Sequence, residues 1–125
     1  MATWNNVRSY ISANFQVQSD DGTTMVLLFD TGGGRTQLVM VSGGDSYVSV
    51  SSPIGTVNQV NGNAILSIAQ NHTAPGGIRQ VGDMYVYSNG FATESLEGPE
   101  LLTFMIMITQ AADNIERDLG LGDSL

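Results

Sequence analysis

Asp30-Thr31-Gly32 is the stretch of this chain most ready to do chemistry. It follows the apolar Leu27-Leu28-Phe29 and runs into Gly33-Gly34-Arg35. An aspartic protease places such a triplet so that two carboxylates, one from each half of a β-rich assembly, share a proton. The surrounding sequence does not supply that assembly. Long helix-like segments stand at both ends, and no later strand repeats the apolar-apolar-glycine pattern of the second half of such a fold. The glycines do not form a phosphate cradle either. A P-loop needs Gly-Lys-Ser/Thr opening a helix, whereas Gly32-Gly33-Gly34-Arg35-Thr36-Gln37 opens a strand-like run and the chain has no lysine. A dinucleotide fingerprint and the alternating βαβ pattern that goes with it are also missing. The sequence therefore assigns Asp30 to the polar end of a strand and the glycines to a chain reversal.

Other reactive groups are few. His72 is the single histidine. No nucleophile elbow accompanies it, and a zinc ion there would need carboxylates for all its other ligands. It reads as a polar residue just past a helix. Asp20-Asp21-Gly22 lacks the alternating oxygen ligands of a calcium loop and reads as a solvated turn. With no cysteine, thiol catalysis, disulfides and thiolate metal sites are excluded. The sequence assigns no catalytic residue, no metal and no cofactor. Arg35 and Arg79 sit in related glycine-rich settings, Gly33-Gly34-Arg35 and Gly76-Gly77-Ile78-Arg79. If they converge they can receive a small anion in a pocket between sheet and helices; pairing with acidic neighbours is the plainer reading.

Charge removes further classes. Four Lys plus Arg stand against twelve Asp plus Glu, a net charge of −8, so the chain lacks the cationic footprint that nucleic acid or an anionic membrane surface requires. The longest apolar run, LLTFMIMI over 101–108, is far short of the roughly 20 residues a membrane helix needs. No signal-peptide pattern opens the sequence, and the expectation is a soluble, cytoplasmic protein. A chain of 125 residues with 42% hydrophobic content is expected to be one domain, residues 1–125, with a core of its own.

The elements that must position these residues read as follows. Thr3 caps a first helix over about 4–14, whose apolar stripe is Trp4, Val7, Ile11 and Phe15. Residues 19–22 give a turn. Strand-like runs follow at 23–30, 35–41 and 46–52, joined by short glycine-rich loops suited to hairpins. Pro53, unable to donate to a central ladder, ends the sheet within 52–55. Residues 56–71 read as a second helix, with Val57, Val60, Ala64 and Ile68 in register and Ile65 and Ala69 widening the stripe. A hairpin of strands 78–81 and 84–88 turns at Gly82-Asp83. A third helix begins near Pro99 and ends at Gly120. Its first half is apolar nearly all round, and such a helix is covered on more than one side. The order α-β-β-β-α-β-β-α makes an α+β fold, with a twisted antiparallel five-stranded sheet covered on one face by helices.

In this order, RTQLVMV, SSPIG, GGIRQVGDMYVYS and the C-terminal AADNIERDLGLGD resemble the YbjN-type bacterial family, which has the type III secretion chaperone-like fold. The resemblance runs over residues 4–123. It implies a homodimer that holds other polypeptides through apolar patches, with no catalytic motif to carry over. Methionine suits such surfaces because it tolerates irregular partners. Met105 and Met107 point to different sides of the third helix. The candidate dimer or client surface is Ile65, Ile68, Met105 and Met107; the candidate anion contacts are Arg35 and Arg79. The resulting expectation is a non-enzymatic, dimeric interaction module with a polypeptide client. The second reading is a regulatory domain that binds a small anionic ligand.

Overall fold

The computed structural model describes residues 1–72 and 74–121. Along the chain it forms α1 (Trp4–Asn14), β1 (Val17–Asp20), β2 (Thr24–Gly32), β3 (Arg35–Gly43), β4 (Tyr47–Thr56), α2 (Gly62–Ala69), β5 (Gly77–Val81), β6 (Met84–Ala92) and α3 (Gly98–Asp118). The strands form one antiparallel sheet in the order β1-β2-β3-β4-β6-β5. The α+β class is as expected; the sheet has six strands rather than five. The extra strand is β1, four polar-leaning residues at an edge, where half-buried pairing needs no apolar alternation. Ser19 and Asp20 therefore belong to a strand, and the turn that follows starts at Asp21.

The helix starts are set by side chains. Thr3 Oγ1 accepts from Asn6 N at 3.1 Å, and Asn6 Oδ1 accepts from Thr3 N at 3.1 Å. This reciprocal cap satisfies two otherwise orphaned donors and fixes α1 where the apolar stripe begins. At α2, Asn61 Oδ1 accepts from Asn63 N at 2.8 Å and Ala64 N at 3.3 Å. An asparagine in that role has extended backbone, so the helix starts after it and not at residue 56 as the apolar spacing suggests. Residues 56–60 instead close a separate turn, with Gln59 Oε1 accepting from Thr56 N at 2.9 Å.

Pro53 does not end the third hairpin strand. β4 continues through it to Thr56, paired on one side with β6. On the other side the ladder with β3 stops at the Met40–Ser51 pair, so the missing Pro53 N–H costs no bond there. Side chains span the gap: Ser52 Oγ donates to Leu38 O at 2.6 Å and Gln37 Nε2 donates to Pro53 O at 2.5 Å.

One core holds the molecule together. Met25, Leu27, Val39, Val41, Val48, Val50 and Tyr87 line one sheet face, against Val7 and Ile11 of α1, Ile65 of α2, and Leu101, Met105, Ile108, Ala112 and Ile115 of α3. Complete burial of such side chains stabilises by about 1.5–3 kcal/mol each. Phe91 on β6 stacks on Phe104 of α3 with ring centroids 4.4 Å apart. The strand residues that alternate with these face away from all three helices.

The β2–β3 corner is built as the sequence suggests. Gly32, Gly33 and Gly34 have φ of 98°, 61° and 77°, values that side chains disfavour. Asp30 is exposed, and its Oδ1 accepts from Gly32 N at 2.8 Å. Its carboxylate is used to tighten the turn.

Candidate functional site

α2 and α3 together present the first candidate surface. Of the four residues expected there, Ile65 and Met105 are core residues at 1% and 0% exposure, and Ile68 is half-buried. Met107 is exposed. Sequence spacing did not single out Leu66 and Ile106, yet at 60% and 49% they are more exposed than Met107. The expectation that the apolar half of α3 is covered on more than one side is not met within a single chain. Ile106 and Met107 instead line a groove of about 420 Å³ with Asn71, Ala74, Gln110 and Asn114. His72 lines it too, and its Nε2 lies 3.0 Å from Asp118 Oδ2. That pair links the end of α2 to the end of α3.

The two arginines expected to share an anion are on opposite faces of the sheet. Arg35 follows the same alternation as Gln37 and Val39 and points toward α3. Its Nε donates to Asp113 Oδ1 at 2.8 Å, and its Nη2 lies 3.8 Å from Glu116 Oε2. Arg117 Nη2 donates to Asp113 Oδ2 at 2.8 Å. Asp113 and Glu116 are buried, at 0% and 1% exposure. Burial pushes the Asp113 carboxyl up, but the hydrogen bonds from Arg35 and Arg117 outweigh it and hold the group below the ordinary carboxylate value. No local pattern points to this cluster, because Arg35 and Asp113 are 78 positions apart.

Arg79, on the edge strand β5, is exposed and faces the other way, beside Val86 of β6. It lines a groove of about 410 Å³ on the helix-free face. Met40, Met84, Val81 and Val86 supply the apolar part of that groove; Ser42, Ser49 and Ser51 supply hydroxyls, and Asp83 a carboxylate. Leu28, Tyr47 and Val81 leave much of their surface exposed on this same face.

The Asp20-Asp21-Gly22 segment runs from the end of β1 into a turn whose polar groups are locally satisfied. Asp21 Oδ1 accepts from Thr23 N at 2.9 Å and Thr24 N at 2.7 Å, and those donors hold its pKa down. Asp20 pairs with Arg8 at 2.8 Å and accepts from Gly22 N, with the same effect on its pKa. Among the described residues no helix is long and apolar enough to cross a membrane. Residues 122–123, the end of the C-terminal motif, lie outside the described residues.

No family model matches the chain, and no curated protein is similar to it. Among solved structures it is similar to a chain of the HopA1–SchA chaperone–effector complex, with a TM-score of 0.61 and 16% identity over 87% of this chain and 88% of that one. At that identity the likeness is one of fold. The α+β architecture expected from the sequence is thus one it shares with that chain.

Proposed function

We propose that this chain is a non-enzymatic interaction module of the YbjN type that works as a homodimer in the bacterial cytoplasm and holds a polypeptide client. The observation that carries this reading is the fold likeness to a chain of a chaperone–effector complex over nearly all of both chains. Two features support it. Leu66, Ile106 and Met107 expose apolar surface on adjoining helices, as a self-association surface needs. The helix-free sheet face offers a second, separate apolar groove, so a subunit can contact its partner and a client at once. A net charge of −8 keeps such a protein soluble while apolar patches remain exposed.

Light scattering of the purified chain tests the dimer, and affinity capture from a native lysate followed by reciprocal co-expression tests the client. The expected mass is twice that of one chain. Leu66→Asp and Met107→Asp, both at exposed positions, should reduce it to that of one chain with unchanged circular dichroism. A single polypeptide should co-purify in stoichiometric amount. A well-folded chain that is monomeric and carries no polypeptide would overturn the reading.

A further inference from the structure

We propose that Arg79 selects the client: the groove on the helix-free sheet face takes an apolar polypeptide segment that carries a carboxylate, and Arg79 binds that carboxylate. This rests on the reading that the chain holds a polypeptide, and it adds which segment chemistry the chain accepts.

The argument is one of charge. The chain has four arginines. Arg8 is committed to Asp20, Arg35 to Asp113 and Glu116, and Arg117 to Asp113. Among the described residues the Arg79 guanidinium, alone of the four, has neither an acidic partner nor a hydrogen bond. In a chain of net charge −8 acidic partners are plentiful, so an arginine left without one is a departure from the pattern of the other three. Its position matters as much as its state. It lines a groove whose other walls are mostly methionine, valine, serine and threonine, where an apolar segment finds adaptable thioethers and a carboxylate finds a planar guanidinium suited to bidentate pairing. Asp83 lines the same groove and would repel a carboxylate brought to its own end. The groove therefore favours a segment whose acidic group is placed toward Arg79, with no second acid near Asp83.

Five methionines beyond the first residue make a convenient reporter set: Met40 and Met84 line this groove, Met107 lies on α3, and Met25 and Met105 are in the core. Chain labelled at the methionine methyls is titrated with two amphipathic peptides of leucine, alanine and threonine, blocked at both ends. One carries a single central glutamate and the other a glutamine. The expected result is movement of the Met40 and Met84 signals, with the glutamate peptide binding about three- to fivefold tighter. That preference should vanish in Arg79→Gln and persist in Asp83→Asn. Arg79 is exposed and its side chain makes no hydrogen bond among the described residues, so Arg79→Gln should fold as the parent does. Equal binding of the two peptides, or movement of Met107 alone, would overturn the role of Arg79 and leave polypeptide holding intact. Failure of both peptides to bind also overturns it; client holding itself stands or falls on the co-purification experiment.

Discussion

Replacing Arg35 with methionine should destabilise the chain by about 2–3 kcal/mol near neutral pH. The estimate starts from the two carboxylates left behind. Asp113 and Glu116 side chains are 0% and 1% exposed, and Arg35 reaches them at 2.8 Å and 3.8 Å. Removing one partner of a buried ion pair typically costs about 3–5 kcal/mol, because the remaining charge has lost its water and its counterion. Two features reduce that figure here. The Arg35 side chain is itself 22% exposed, which screens the pair, and Arg117 keeps its 2.8 Å bond to Asp113. Methionine retains most of the aliphatic stem, so packing loss adds little. Urea unfolding followed by Trp4 fluorescence measures the loss. Trp4 is a good reporter because it is buried and its Nε1 donates to Gly22 O at 2.7 Å. Protein concentration must be held fixed, since a dimer couples stability to concentration. The pH dependence gives a second, sharper check. A carboxyl held below its ordinary value stabilises the fold above a pH of about 4, and the contribution is lost as the pH falls through the folded value. Without Arg35, burial pushes Asp113 upward less opposed, so the variant takes up protons earlier. The gap between parent and variant should therefore be widest near neutrality and narrow toward a pH of about 4. A loss below about 0.5 kcal/mol, or a gap that does not change with pH, would refute the reasoning.

Other outcomes follow from single contacts. Met105→Ala should cost about 2–5 kcal/mol because the side chain is in the core, whereas Met107→Ala should change the stability of an isolated chain by less than about 0.5 kcal/mol, both read by denaturant midpoints. Asn61→Ala removes the cap of α2 and should cost about 1 kcal/mol, with helix loss confined to residues 62–69 by hydrogen exchange. Gly76→Ala should be worse than Gly90→Ala. At Gly76 φ is 99° and an added methyl would sit 2.3 Å from the Ser88 carbonyl oxygen, whereas at Gly90 the obstacle is the half-exposed Tyr47 ring, which can swing away. Thermal melts of the two variants separate them.

Much of the fold was legible because it was written locally. The Thr3 cap and the stripe from Trp4 to Ile11 set α1, and the glycine corners set the hairpins. Features decided by distant partners were not. β1 is too short and polar to show a period and exists because β2 offers it an edge. α2 carries helical spacing back to Val57, but the side chain of Asn61 caps the helix and its extended backbone stops it there. Pro53 reads as a terminator on the assumption that both sides of β4 are paired, whereas the β3 side has already parted there. At the candidate surfaces, spacing finds the apolar helix face without saying which members turn inward, so Met105 and Ile65 were grouped with Met107. Nothing local in the sequence marks Asp113 and Glu116 as buried, because Arg35 reaches them from the start of β3.

The parting of β3 and β4 has a mechanical consequence. The two strands share a ladder only between Met40–Gly43 and Val48–Ser51. Beyond it Gln37 and Ser52 bridge with side chains, and Gln37 Oε1 has no partner among the described residues. The sheet is thus two leaves, β1-β2-β3 and β4-β6-β5, stitched along part of one seam. α3, which packs across β2, β3, β4 and β6, straps them together. A displacement between the leaves would break only this short ladder and the two side-chain bridges, and would leave the hydrogen bonds within each leaf intact.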